Sequence, residues 1–183
     1  DASQLAQLVD KAQNRAVIAL VPASDVSFKA LNVPAKSPRA MKLAAPYMLE
    51  DDLAQDVEQL FFAYGAPQLT ETNNNCFLTA VEHQQMIRWI SWLRDADIHV
   101  QQMIPDALLL PEHDTGWSCV ELGEQLLIKK NSWFVASVEK PLFDVLLGSW
   151  VETAPEDEQI EIHSYSPLSL PPLNKNVELI AEP

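Results

Sequence analysis

Glycine is scarce here, with four in 183 residues. Backbone loops that cradle phosphates draw on glycine for positive φ and for close approach to a ligand, so nucleotide chemistry starts at a disadvantage. Cysteine is scarcer still. Cys76 and Cys119 follow no zinc or redox spacing and are expected as unpaired thiols on strands. Cations are few, 12 Lys and Arg against 26 Asp and Glu, for a net charge of −14. That excludes nucleic acid, whose phosphates need clustered cations, and an anionic membrane surface as a direct ligand. No apolar run approaches the roughly 20 residues that span a bilayer, and no signal-peptide pattern is visible. The chain opens on Asp1 rather than methionine, which gives the expectation of a fragment of a longer protein. A hydrophobic fraction of 48% supplies ample core for one domain or several small lobes.

Catalytic motifs are also wanting. There is no P-loop, G-x-G-x-x-G, G-x-S-x-G or H-E-x-x-H. His83, His99, His113 and His163 are isolated in sequence. His113, between Glu112 and Asp114, would need a further group to hold a metal, and Glu161 shares one strand face with His163. Consecutive carboxylates such as Asp51 and Asp52 point apart on a helix end, which suits solvation better than an acid–base dyad. No catalytic residue, cofactor or metal ligand is therefore assigned.

What the chain does have is an acidic asymmetry. Between Lys42 and Arg88 there is no Lys or Arg, while Glu50, Asp51, Asp52, Asp56, Glu58, Glu71 and Glu82 fall inside that gap. A second cluster, Glu156, Asp157 and Glu158, lies near Glu152 and Glu161, with Lys175 the only later cation. Such faces either keep the chain soluble or steer a basic partner. The first cluster ends a helix. Ser37 is a cap, Pro38 sits where its missing N–H costs nothing, and Met41, Ala45, Leu49 and Leu53 lay an apolar stripe along one face. Pro46 removes one hydrogen bond and should kink the helix near Lys42.

Periodicity places a helix over 3–14, with Leu5, Leu8, Val9 and Ala12 on one side, and a strand buried on both faces at 16–22. A strand at 25–33, the proline-containing helix to about 54, and a hairpin over 57–81 follow. The helix at 82–96 is apolar around most of its circumference, which predicts cover on more than one side. A strand near 98–103 and a short turn at 105–111 lead into a three-stranded meander, WSCVEL, QLLIKK and SWFVASV, and a helix near 139–147. The proline- and acid-rich remainder reads as a strand near 159–165 and then a linker.

This order of elements, the segment APYMLEDDLAQDVEQL and the segment QMIPDALLLP together resemble the cytoplasmic domain of the type II secretion system inner-membrane protein L family. The resemblance covers residues 16 to about 145. It implies an α/β chain of the actin-like ATPase class, with ribonuclease-H-like halves, an inserted small α+β lobe, and the first half's N-terminal strands missing. The implied lobes are 1–24 with 83–112, the insertion 25–82, the second half 113–166, and a linker at 167–183 toward a membrane segment. The implied role is a non-enzymatic scaffold at the cytoplasmic face of the bacterial inner membrane, anchored by a single transmembrane helix outside this chain. The implied partners are the N-terminal domain of the secretion ATPase and other platform proteins, with a possible homodimer. Its candidate contact residues are Glu50, Asp51, Asp52, Asp56, Glu58, Glu156, Asp157 and Glu158. The alternative is an actin-like nucleotide-binding component of a pilus-assembly machine. Its Asp-x-Gly turn would fall at Glu121-Leu122-Gly123, where Glu replaces Asp, or at Asp114-Thr115-Gly116, which precedes the strand.

Overall fold

Backbone contacts in a computed structural model divide the chain into two compact units, Asp1–Val21 with Asp25–Ile104 and Pro22–Ser24 with Pro105–Pro183. The structure describes residues 2–35, 37–53, 55–66, 68–69, 74–154 and 159–183.

The first unit opens with α1 (Ala2–Leu5), a 3-10 turn (Ala6–Leu8) and α2 (Val9–Ala12), so the expected helix is present but broken in the middle. Strand β1 (Ile18–Val21) pairs with β6 (Gln102–Pro105). The expectation of a strand buried on both faces is corrected here. Val21 packs with Val81 and Trp89, but Ile18 and Leu20 point the other way and are 54% and 56% exposed. A continuous apolar run thus marks one covered face, not two.

The unit's larger sheet is antiparallel. Its order is β2 (Ser27–Asn32), β5 (Asn74–Glu82) and β3 (Leu60–Tyr64), with β4 (Gln68–Leu69) also paired to β5. The hairpin read at 57–81 is therefore β3 against β5, with a 3-10 turn (Val57–Gln59) at its entry. Helix α3 (Pro38–Met48) lies on this sheet through the expected stripe: Met41, Ala45 and Leu49 are fully buried beside Val33, Cys76 and Leu78. Ser37 accepts from the Ala40 amide at 3.2 Å, as a cap should. The helix stops at Met48, six residues before its expected end, and Glu50–Asp52 form a separate 3-10 turn.

Helix α4 (His83–Asp95) follows β5 directly. Its expected cover on several sides is met in part, by α1 and by strands β5 and β3. Trp89 is buried against Val21 and Val81, with Met86 and Met103 beside them, whereas Ile87, Ile90 and Trp92 are exposed. Those three side chains remain outward although α1 and the sheet both lie against the helix.

The second unit is one five-stranded sheet with a helix on one face. A 3-10 turn (Asp106–Leu109) leads to the meander β7 (Trp117–Leu122), β8 (Gln125–Asn131) and β9 (Phe134–Glu139). Helix α5 (Lys140–Glu152) crosses back so that β10 (Ile160–Ser164) pairs parallel to β7. Phe143, Leu147 and Val151 of α5 meet Trp117, Cys119, Leu126, Ile128, Ile160 and Ile162 in the core. The segment read as a linker at 167–183 differs from expectation. Its Val177–Ala181 forms β11, parallel to β10 and outermost in the order β11-β10-β7-β8-β9. Alternation is weak in VELIA, but backbone pairing with β10 needs no strong side-chain pattern, and Leu168, Leu170 and Leu173 pack onto the core on the way.

Candidate functional site

The outward side of α3 and the turn that follows it form the first candidate surface. Pro46 cannot donate to the Lys42 carbonyl one turn back. The structure fills that gap from β3, where the Tyr64 hydroxyl donates to Lys42 O at 2.9 Å while Lys42 Nζ sits 5.4 Å over the Tyr64 ring. Burial raises the Tyr64 phenol above its ordinary value. This bond holds α3 with its apolar stripe down and leaves Leu43 and Tyr47, one turn apart, 66% and 67% exposed, with Met48 beside them.

The acidic residues continue from that face. Glu50 and Asp52 are exposed in the 3-10 turn, whose backbone is held by Asp52 N and Leu53 N donating to Leu49 O at 2.9 and 3.0 Å. Asp56 and Glu58 are exposed as well, and Asp56 also caps the next turn by accepting from Glu58 N at 3.1 Å. The side chain of Asp51 and all of Glu156, Asp157 and Glu158 lie outside the described residues. Exposed Glu50, Asp52, Asp56 and Glu58 thus follow exposed Leu43, Tyr47 and Met48 along the chain. That apolar component was missed in the sequence because Leu43 and Tyr47 lie two residues past Met41 and Ala45, about 200° round the helix from the buried stripe.

The two Asp-x-Gly-like places have other partners. Glu121 accepts from Lys140 Nζ at 2.7 Å, and that bond raises the Lys140 pKa. Gly123, at φ 62°, makes the tight turn between β7 and β8. Gly116 has φ 97°, and a Cβ there would lie 2.5 Å from the Glu161 carbonyl, so this glycine lets the loop approach β10. Thr115 follows the same purpose, donating from Oγ1 to Glu161 Oε2 at 2.7 Å. The PDALLLP segment is likewise structural: Asp106 Oδ1 accepts from Ala23 N at 2.9 Å and from Ala107 N at 2.8 Å.

A second constellation was not assembled from the sequence. Strand β10 alternates, with Ile160 and Ile162 in the core and Glu161 and His163 on the other face, and Tyr165 follows just past its end. His113, in the loop before β7, stacks on His163 with ring centroids 3.5 Å apart and planes 4° from parallel. His113 Nε2 shares a hydrogen bond with Tyr165 Oη at 3.1 Å, and His163 Nδ1 donates to Glu182 Oε1 at 2.7 Å. His163 is 8% exposed, and its Nε2 has no hydrogen-bond partner, with Glu161 Oε2 at 3.7 Å. Ser118, opposite His163 on β7, is buried and donates to Pro111 O.

Both cysteines are buried and neither is in a disulfide. Burial raises the Cys76 thiol and pushes Cys119 up to about 12, which suits packing and not reactivity.

The meander, the crossover helix and the parallel strands added at β7 define an actin-like α/β fold. A solved structure with the same architecture is the cytoplasmic domain of EpsL, an inner-membrane component of the type II secretion system of Vibrio cholerae. It superposes with a TM-score of 0.85 at 25% identity, over 100% of this chain and 74% of that one. The PilM–PilN type IV pilus biogenesis complex shares the fold at TM-score 0.58 and 13% identity, over 84% of this chain and 52% of that one. The model of the family "Type II secretion system (T2SS), protein L" matches residues 1–183, and the chain belongs to that family. Curated relatives include protein L of Klebsiella pneumoniae, 35% identical over 85% of this chain, and of Vibrio cholerae, 26% identical over 90%. The chain spans 37% and 39% of those two proteins' lengths. Among the described residues no helix is long and apolar enough to cross a membrane.

Proposed function

We propose that this chain is a non-enzymatic scaffold of the secretion system's inner-membrane platform. In this reading it lies at the cytoplasmic face and grips the N-terminal domain of the secretion ATPase through the outward side of α3 and the turn after it. The observation that carries the reading is the conjunction of exposed Leu43, Tyr47 and Met48 with exposed Glu50, Asp52, Asp56 and Glu58. Apolar anchors next to charge of one sign are what a polar-rimmed interface requires, the apolar groups for affinity and the acids for encounter and register. Acids just past a helix C-terminus also oppose the helix dipole, so they stand there at some cost to stability. Family membership supports the system but not the partner. The contacts of other platform proteins and any homodimer belong to segments or surfaces beyond this patch, and the three-lobe division 1–24 with 83–112, 25–82 and 113–166 remains part of the proposal.

The test is titration of the ATPase N-terminal domain onto the chain at two salt concentrations. Changing Glu50, Asp51 and Asp52 together to Lys should weaken binding at least tenfold, about 1.4 kcal/mol. It should also flatten the salt dependence and leave Tm equal or higher. Glu156, Asp157 and Glu158 changed to Lys serve as the control. Normal binding by the first variant and lost binding by the second would move the interface to the other acidic cluster.

A further inference from the structure

His113, His163 and Glu182 each offer a ligand atom, and these atoms lie within 4.8 Å of one another. We propose that they form a binding site for a divalent transition metal of the zinc class, which pins the end of β11 to β10 and to the loop before β7.

His163 stands between two carboxylates. Glu182 Oε1 is 2.7 Å from Nδ1 and Glu161 Oε2 is 3.7 Å from Nε2. A neutral imidazole carries one N–H, so one carboxylate then faces a lone pair at close range, and the buried Nε2 is left unsatisfied. A metal ion in place of the proton between Nδ1 and Glu182 resolves both defects. The ring's remaining N–H moves to Nε2 and faces Glu161, the outer-shell carboxylate that metal-bound histidines characteristically use. Thr115 already orients that Glu161 oxygen through a 2.7 Å hydrogen bond.

Two imidazoles and one carboxylate select zinc and its neighbours over magnesium or calcium, which prefer all-oxygen shells. Ligand atoms around one tetrahedral zinc lie about 3.3 Å apart, given metal–ligand bonds near 2.0–2.1 Å. The cluster must therefore contract at its widest and open slightly between His163 and Glu182. The stacked rings must also splay, because lone pairs held in two parallel planes 3.5 Å apart cannot meet at one ion. His113 can supply that movement: it is half-buried and sits in the irregular 111–116 segment, while His163 is fixed by β10. The three ligands come from a loop, an inner strand and the residue just past the edge strand, whose backbone N–H already donates to Ser164 O at 2.8 Å. A metal here would thus tie down the outermost strand. The inference does not depend on the partner surface on α3.

The experiment uses the 183-residue chain after chelator treatment, titrated with Zn2+ by calorimetry, with Co2+ as a spectroscopic probe. The expected result is one zinc per chain with a Kd below about 100 μM. At a hundredfold excess over Kd, Tm should rise by roughly 5–10 °C. Co2+ should give visible d–d bands of a four- or five-coordinate site that zinc displaces. His113→Ala and Glu182→Gln should each weaken zinc binding at least tenfold, and circular dichroism checks that both fold. If Glu182→Gln fails to fold, His113→Ala decides alone, since its side chain lies in the loop. A wild-type Kd weaker than about 100 μM overturns the proposal, as does a loss of less than tenfold in a folded variant. Either result would leave His113, His163 and Glu182 as a hydrogen-bonded and stacked cluster that holds no metal.

Discussion

Replacing Tyr64 with Phe removes one hydroxyl and little else, and its cost can be worked from the geometry. That hydroxyl donates to Lys42 O at 2.9 Å, and Lys42 is the residue whose helical partner four positions on is Pro46, which has no N–H. The bond closes a gap in the ladder of α3 from outside the helix. Solvent reaches the pair, so water offsets part of the loss. The net cost is about 1 kcal/mol, at the low end of what a sealed carbonyl would forfeit, or about 2–4 °C in Tm for a chain of this size. In a Pro46→Ala background residue 46 regains an amide that can reach Lys42 O by itself, and Tyr64→Phe should then cost almost nothing. Urea denaturation of the four proteins, followed by circular dichroism, gives the coupling, expected at about 1 kcal/mol. Pro46→Ala alone should stay within about 1 kcal/mol of the parent. Alanine favours the helix interior, but it also frees the unfolded chain and could disturb a helix already packed through Met41, Ala45 and Leu49. A coupling below about 0.3 kcal/mol refutes the account, because the hydroxyl would then not be standing in for the missing amide. Loss of soluble, cooperatively melting Pro46→Ala protein would show instead that the proline is structurally obligatory.

Two further outcomes follow from the thiol and the glycines of the second unit. Burial raises Cys119 from 9.0 to about 12 in the folded chain. A raised folded pKa gives stability that is complete below pH 9 and is lost as pH climbs toward 12, on the order of 4 kcal/mol by the upper end. Cys119→Ala should flatten that alkaline slope in thermal melts, and an unchanged slope would remove the thiol as its cause. Gly116→Ala should cost at least about 3 kcal/mol, because its φ of 97° is strained for alanine and its Cβ would meet Glu161 O at 2.5 Å. Gly123→Ala, with open space around it at φ 62°, should cost only about 1 kcal/mol. Equal losses at the two glycines would mean that close approach to β10 is not what Gly116 provides.

Local patterns announced most of the elements. Ser37, Pro38 and the four-residue spacing of Met41, Ala45 and Leu49 located α3 and its buried face, since cap chemistry and helical periodicity are both local. The meander was equally legible, because WSCVEL, QLLIKK and SWFVASV are short apolar runs separated by tight polar turns. Exposure was harder to read. Ile18, Leu20, Ile87 and Ile90 look like core and are exposed. An apolar run records that a face can be covered, while what covers it depends on which elements the rest of the molecule brings there. The opposite error occurred in the tail, where few apolar periodic positions hid β11. Its place is fixed by backbone pairing to β10 and by three leucines that precede it.

The same distinction explains why the first candidate surface was found in half and the second not at all. The acids after α3 are consecutive, so their clustering survives as a string of letters. Leu43 and Tyr47 became part of that surface only once the phase of α3 was fixed by Met41 and Ala45 on the sheet side. His113, His163 and Glu182 are far apart in the chain, and three separate facts bring them together: the parallel pairing of β10 with β7, the parallel pairing with β11, and a loop drawn close by Gly116. One local trace existed, the alternation of Ile160 and Ile162 with Glu161 and His163, Tyr165 following just past the strand. A strand whose second face reads Glu-His commits two polar groups to a side that must be either solvated or covered by partners. Here the 111–116 loop covers it, and cover without full hydrogen bonding is what leaves His163 Nε2 unsatisfied. An alternating strand with a histidine on its polar face is thus a sequence signal for a polar cluster, and its ligands must be sought in the loops that precede the neighbouring strands.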